Sequence, residues 1–585
     1  MIVYNRLSWV IFLAILLYPL LSMLQGVDVT DTGFSVAHYA LFLDHFDAIS
    51  ASSSLWLTTL LGALWENTVG VHFGLIAHRF LFVLLTYINA LLAYLLLRRH
   101  FRSEFIFIGI FLAIAYQSMS HVTYDYNLAT STFYLLALYS LYNGLTENNK
   151  FYIFIAGIII GSNIFVRIPN IIGIGLYLLI LIHSTYKTPF NIKDFFYKSI
   201  VFFAGVLTGV IIILALMHQL GHLDHFISIC KSLIDVLLHG GGKDTHSGAS
   251  LLSRYIGDFK DAAEKTVFTS VYIGIFVIFI SYTERENRTW LSYLLSFLFL
   301  SYGFYVLVTK THEVIYYLFG LLLSTLLILL YNTSKRGNTA LFHLTLFSII
   351  YLCIGFIGSN TGIYNAKYTL SLPAGLAVGY VLSTSHAFQK HIAGFSFNLS
   401  EKYERMIKYS IISSLITAAM LYSFMYPYRD APKSSLVHPI EHSRLGGIYT
   451  TAARAQSLQQ VITQIELYSK KGDTILCYDS IPLLYYVTGT IPYLPRTWME
   501  TLPPRDVQEA FLKQEKSSIP KPLVVRAKYD TNNGAWPETK FILPLDEWAQ
   551  NRKIGDDFLS RNQYKKIWEN DFFALYLPKE NNDRK

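Results

Sequence analysis

Asp28 and Asp31 stand in the run Val27-Asp28-Val29-Thr30-Asp31-Thr32-Gly33, just after an apolar stretch at residues 7–24 that is long enough to cross a bilayer. Carboxylates at that depth are costly if they face lipid, which makes them functional candidates. A carboxylate here is placed to act as a general base, taking a proton from a hydroxyl or an amine. Asp31 precedes Thr-Gly, which favours a turn at the membrane surface. The pair could also hold a divalent cation, because hard cations take oxygen ligands, but two carboxylates do not make a metal site. A solvated loop end with a capping aspartate has the same local sequence.

Four further groups carry chemistry. His121-Val122-Thr123-Tyr124-Asp125-Tyr126-Asn127 falls between two apolar runs. Its side chains His121, Tyr124, Asp125 and Asn127 suit sugar hydroxyls and aromatic stacking, or an interfacial belt with a helix cap. Val166-Arg167-Ile168-Pro169-Asn170 places an arginine between apolar segments, where it needs an anion such as a lipid phosphate or must snorkel to the surface. Pro169 also breaks the helix there. Lys310-Thr311-His312-Glu313 and Asn365-Ala366-Lys367-Tyr368 lie at the outer ends of later spans. Lys310 and Lys367 are placed to steady a departing phosphate, with His312 and Glu313 as polar contacts for a sugar or acceptor. Finally, His218, His222, His225, His239 and His246 surround Gly240-Gly241-Gly242. Zinc needs three or four ligands with supporting shells, so the expectation is a mobile loop over the substrate and no metal.

The elements that must position these residues are mostly membrane helices. The chain has 585 residues, is 53% hydrophobic and only 15% charged, against ~25% charged in soluble domains. Its mean hydropathy is +0.38. Apolar runs at 7–25, 71–97, 104–118, 128–146, 151–166, 168–184, 199–219, 266–283, 290–308, 314–331, 339–358, 369–388 and 409–426 predict about thirteen crossings on the ~20-residue criterion. The net charge of +8 is scattered among short loops, which argues against nucleic acid as a partner and in favour of orientation. Arg98, Arg99, Arg102, Lys150, Lys187, Lys193, Lys198, Arg285, Arg288, Lys335, Arg336, Lys402, Arg405 and Lys408 mark the cytoplasmic side, whereas Lys231, Lys243, Arg254, Lys260 and Lys265 fall in the long outer loop 220–265, where the charge rule is weak. An odd number of spans then places the C-terminal part outside. Cys230, Cys353 and Cys477 lie too far apart to suggest a disulfide or metal framework. The N-terminal run, with no cleavage pattern after it, reads as a retained anchor.

The first outer loop, 26–70, holds amphipathic stretches with Trp56 and Trp65, which predicts short helices in the interface. Residues 1–426 thus form the membrane part. Pro427, Pro432 and Pro439 mark a linker, and 427–585 reads as a soluble α/β domain outside the membrane. It has a helix at 450–470 and strands at 474–478, 523–526 and 572–577. Arg496, Trp498 and Glu500 within it either touch an acceptor or pack.

This order of features resembles the GT-C superfamily of integral membrane glycosyltransferases. It looks most like bacterial relatives of the protein mannosyltransferase and lipid A aminoarabinose transferase group. The likeness covers the whole chain in architecture, and in residues it rests on Asp28-Val29-Thr30-Asp31 in the first loop. It implies an inverting transfer from a polyprenyl-phosphate-linked sugar to a glycan, lipid or protein acceptor at the outer face of a bacterial inner membrane. Asp31 matches the acid that activates the acceptor, with Asp28 as alternative or helper. Arg167, Lys310 and Lys367 are candidates to hold the donor phosphate. The two acids here are separated by Val29-Thr30, unlike the usual motif, and the WWDxG-type signature of block transfer to asparagine is absent. The competing readings are a transporter or flippase of lipid-linked glycans, and an O-antigen polymerase or ligase. Transporters tend to carry internal repeats and broken helices at the bilayer midplane, whereas no repeat is visible and the polar clusters sit at span ends.

Overall fold

The computed structural model describes residues 2–186, 190–239, 248–286, 288–310, 313–384, 390–392, 395–397, 401–517, 519–543 and 548–579. Among them, eight helical segments are long and apolar enough to cross a membrane. Seven are Leu75–Leu97, Ile168–Tyr186, Ile192–Gln219, Gly248–Thr283, Trp290–Thr309, Val314–Arg336 and Glu401–Met425, and the eighth is Phe46–Phe73. Five shorter apolar helices accompany them: Arg6–Ser22, Ser103–Gln117, Lys150–Asn163, Thr339–Ile354 and Ser371–Ser383. These two groups stand where about thirteen crossings were expected, but not one for one. The helix Tyr126–Thr146 falls in neither group, because Asn127, Thr130, Ser131, Thr132, Ser140 and Asn143 lower its hydropathy.

Phe46–Phe73 qualifies by length and composition, yet it is a chain of short helices with a kink at Ser52 and a wide turn at Glu66–Gly70. Both ends touch the C-terminal part: the Ala51 amide donates to the Pro495 carbonyl (3.2 Å), and Arg444 pairs with Glu66 (3.2 Å). Both of these contacts are therefore on the side of the C-terminal part. Two expectations change. The helix before Arg285 begins at Gly248 rather than near 266, and Leu223–His239 forms another helix inside what reads as a loop in sequence.

Outward faces of the long helices are apolar, with Ile200, Leu207, Ile211, Trp290 and Phe297 exposed, as a lipid-facing surface requires. Between helices Lys150–Asn163 and Ile192–Gln219 the backbones meet through glycine. A β-carbon on Gly157 would lie 2.2 Å from the Phe202 carbonyl, and one on Gly205 2.2 Å from the Phe154 carbonyl. Gly161 and Gly209 repeat the pattern one turn on, which is the small-residue packing that membrane helices favour. This close pair ends at Arg167, where Pro169 opens a 3-10 turn, Ile168–Leu176.

The C-terminal part holds a five-stranded sheet in the order Ile491–Pro492, Thr474–Tyr478, Leu523–Ala527, Phe573–Leu577, Lys565–Glu569. The first three strands are parallel and the last two join antiparallel. Alternation along the strands divides the core in two. Leu476, Tyr478 and Val524 face Phe511 and Phe558 of two covering helices. Ile475, Cys477 and Val525 share a core with Val27, Val29 and Val36 of the first outer loop. The sheet domain and the acidic loop are thus packed as one body.

Candidate active site

Asp28 and Asp31 differ in what surrounds them. Asp28 Oδ1 accepts the Thr30 amide (3.0 Å) and hydroxyl (2.5 Å), and Oδ2 accepts the Thr32 amide (2.7 Å). Burial by itself would raise its pKa. Arg429, His121 and the donors from Thr30 and Thr32 outweigh that and hold the carboxyl below its usual value. Asp28 therefore braces the turn that starts helix Asp31–Leu41. Asp31 opens that helix, where the dipole favours a negative charge. Its side chain is 34% exposed against 3% for Asp28, so Asp31 is the carboxylate a substrate can reach.

Tyr428 and Arg429, from the linker, meet that carboxylate. The Tyr428 hydroxyl donates to Asp31 Oδ2, and Arg429 Nη1 lies 2.9 Å from the same oxygen and 3.8 Å from Asp28 Oδ1. Arg429 also donates to the Thr30 hydroxyl. Asp31 Oδ1 is left for a substrate. A divalent cation bridging the two aspartates would have to displace Arg429, so the residues do not fit that reading. Among the described residues, no three His, Cys, Asp or Glu side chains gather in a metal-binding group.

Beside this group stands the constellation around Asp125. Asp125 caps helix Tyr126–Thr146 by accepting the Leu128 amide (2.9 Å), and its other oxygen accepts from Asn127 (2.9 Å) and Tyr368 (3.4 Å). The His121 ring lies 5.2 Å from that of Tyr428. His121 Nε2 is 3.5 Å from Asp125, too long for a hydrogen bond, and remains a buried polar atom without a hydrogen-bond partner. Asn365 donates toward Asn127 (3.4 Å) and to Ser359 (2.7 Å), bringing the 362–369 segment into the same cluster.

Two buried cations complete the cluster. Lys367 is 4% exposed and stacks on Tyr364 (3.8 Å), and among the described residues no carboxylate is close enough to form an ion pair with it. Burial pushes its pKa down to about 7, against the pull of Asp125 and Asp31. Arg167 is 6% exposed, donates to the Ile357 carbonyl (2.9 Å) and toward Asn170 (3.4 Å), and lies over the Tyr126 ring (5.8 Å). Among the described residues it too has no carboxylate within ion-pair distance. Lys367 feels both Asp125 and Asp31, and Arg167 and Asp31 both act on Tyr126, so two buried cations stand near the Asp31 carboxylate.

Other candidates lie elsewhere. Tyr124 is buried against Tyr39 (5.6 Å), and its carbonyl accepts the Tyr39 hydroxyl (3.0 Å), so it supports the first loop from inside rather than lining the cluster. Lys310 (3.8 Å) and Lys265 (2.9 Å) both pair with Glu313, and among the described residues neither Lys310 nor Glu313 contacts the aspartates. His312 lies outside the described residues, as do Gly240-Gly241-Gly242, His246 and the side chain of His239. His222 stacks on Phe46 (3.5 Å) and accepts from Trp56 (3.1 Å), anchoring the first loop rather than swinging over a substrate. Arg496 lies over Phe34 (5.6 Å), Trp498 donates to Ser480 (3.1 Å), and Glu500 accepts the Asp479 amide (2.5 Å), so all three pack. Tyr428 and Arg429 were missed in sequence. The only local sign of them is a polar triplet, Tyr428-Arg429-Asp430, followed by Ala431 and bracketed by Pro427 and Pro432.

No family model matches the chain, and no curated protein sequence does. Several solved structures are similar in fold. ArnT from Cupriavidus metallidurans in the apo state aligns over 98% of this chain and 97% of its own, with 10% identity and a TM-score of 0.48. ArnT bound to undecaprenyl phosphate aligns over the same shares at a TM-score of 0.45. The archaeal oligosaccharyltransferase AglB from Archaeoglobus fulgidus, in complex with an inhibitory peptide and a dolichol-phosphate, aligns over 88% of this chain and 69% of its own. Identity there is 15% and the TM-score 0.44. At 10–15% identity these likenesses are of fold alone.

Proposed function

We propose that the chain is an inverting glycosyltransferase that moves a sugar from a polyprenyl-phosphate donor to a cell-envelope glycan, lipid or protein. The observation that carries this reading is one accessible carboxylate, Asp31, close enough to act on the charge of buried Lys367 and sharing Tyr126 as a neighbour with buried Arg167, neither cation having a carboxylate within ion-pair distance among the described residues. Asp31 Oδ1 takes the proton of the acceptor hydroxyl or amine as the acceptor attacks the anomeric carbon. The bond from that carbon to the phosphate oxygen breaks, and the electron pair leaves with the lipid phosphate. Lys367 and Arg167 offset the charge that gathers there. One displacement inverts the anomeric centre. His121, Asp125 and Asn127, in the same cluster, suit sugar hydroxyls. The membrane part, 1–426, supplies the donor side in a bacterial inner membrane, and 427–585 lies outside, over the acceptor.

The test is mass spectrometry of surface and lipid-linked glycans in a deletion strain, rescued with wild type or with Asp31→Asn. One sugar should vanish on deletion and return with wild type. A well-expressed Asp31→Asn should leave transfer about 10²–10⁴-fold slower, the range for loss of a general base. Full rescue by Asp31→Asn removes the base assignment. Unchanged glycans on deletion remove the transferase reading and favour transport.

A further inference from the structure

The backbone that delivers Asp28 and Asp31 is gripped from two sides. From the membrane side comes Arg79, near the outer end of helix Leu75–Leu97 and 3% exposed. It donates to the carbonyls of Met23 (2.7 Å) and Gln25 (3.3 Å), and to that of Gly26. From the sheet domain comes a buried ion pair. Arg454, on helix Ala452–Tyr468, lies 2.9 Å from Asp430, and both side chains are 0% exposed. Asp430 accepts the Val27 amide (2.7 Å), the Thr450 hydroxyl (2.9 Å) and the Ala431 amide (2.7 Å). Arg454 donates to the carbonyls of Val27 (3.0 Å), Arg429 (2.7 Å) and Trp536 (2.8 Å), and stacks on the Trp536 ring (4.1 Å).

This pair thus holds both polar backbone groups of Val27, the residue before Asp28. It also holds the carbonyl of Arg429, whose side chain meets Asp31. Arg429 has φ +54°, a region few non-glycine residues occupy, and the bond to its carbonyl fixes that turn. Stability alone does not call for such a pair. Buried ion pairs are often matched or bettered by apolar residues of the same volume. What apolar residues cannot do is aim directed bonds at Val27 and Arg429 together.

We infer that Arg454 and Asp430 are positioning residues, through which the sheet domain sets the geometry of the Asp31 carboxylate and its partners Tyr428 and Arg429. The inference rests on the glycosyltransferase reading for its consequence, but not for its structural readout. A shift of about 1 Å in a reacting group can cost about 100-fold in rate, so a relaxed grip should act on turnover before binding.

The experiment uses the full chain with Asp430→Asn/Arg454→Met, which removes both charges of the pair. Arg454→Lys is the second variant; it keeps a charge opposite Asp430 but cannot reach three carbonyls. Hydrogen exchange should rise at least tenfold at residues 26–32 in both, and stay at wild-type rates in strand Leu523–Ala527 and helix Leu75–Leu97. Affinity for undecaprenyl phosphate, used as the probe, should stay within twofold, while the glycan product falls at least tenfold. Unchanged exchange at 26–32, or a rise spread equally over the strands in both variants, overturns the inference. So does product at the wild-type level. Asp31→Asn separates the two readings: it should leave exchange at 26–32 unchanged, so an active Asp31→Asn removes the base assignment while the grip is still judged by exchange.

Discussion

At the scale of single residues, two aspartates three positions apart have different tasks because their neighbours differ. Asp28 spends its oxygens on Thr30 and Thr32, whereas Asp31 keeps one oxygen open beside Tyr428 and Arg429. Lys367 carries a pH consequence. Its pKa of about 7 lies below the usual 10.5, so the ammonium that would hold a phosphate is lost as pH rises through 7. Phosphate bound at Lys367 favours the charged form, and above pH 7 a phosphate monoester, with its second pKa near 6, gains little further charge. Affinity for undecaprenyl phosphate should therefore weaken from pH 7 to pH 9, by up to about tenfold per pH unit. Lys367→Arg stays protonated throughout and should flatten that slope. Fluorescence-quench titrations at the two pH values check it, and equal slopes for the two proteins would remove Lys367 from the phosphate site.

At the scale of elements, Gly33 decides how closely the acidic helix meets the sheet domain. A β-carbon there would lie 2.3 Å from the Leu483 amide nitrogen, which itself donates to the Val29 carbonyl (3.0 Å). Gly33→Ala must push helix Asp31–Leu41 off helix Leu483–Thr488, at a cost of about 1–3 kcal/mol for overpacking. A lower thermal midpoint in detergent, with undecaprenyl phosphate affinity retained, is the expected result. Much of this level is legible in sequence, because it is local. The helix at 450–470 and the strands at 474–478, 523–526 and 572–577 appear as Ala452–Tyr468, Thr474–Tyr478, Leu523–Ala527 and Phe573–Leu577. Local hydrophobic period and turn residues suffice for that. The strands Ile491–Pro492 and Lys565–Glu569 were not legible, being short or lined with charge. The helix from Gly248 was hidden by Asp258, Lys260, Asp261, Glu264 and Lys265, which read as loop; in the fold Asp258 accepts from the Tyr316 hydroxyl and the Ile363 amide, and Lys265 pairs with Glu313.

At the scale of the whole molecule, apolar helices carry a sheet domain whose core is continuous with the first outer loop. Charge in the short loops predicts which side that domain occupies. With Cys230, Cys353 and Cys477 changed to Ala, a membrane-impermeant maleimide should label Lys471→Cys in intact spheroplasts. It should label Arg99→Cys only after the membrane is opened. The reverse pattern would invert the orientation.

The chain by itself determined its class, its basic loops, the short helices of its first long loop and the place of the acidic pair. Each of these follows from the composition of a short window, and the hydrophobic effect acts on such windows almost additively. Tertiary structure alone decided which aspartate is open, and that Tyr428 reaches Asp31 across 397 positions. It alone decided that Lys367 and Arg167 are buried near the cluster around Asp125, with no carboxylate in ion-pair range among the described residues, whereas Lys310 pairs with Glu313. Those outcomes depend on how helices and sheet pack, and a segment such as Tyr428-Arg429-Asp430 looks like any polar linker until packing gives its side chains an address.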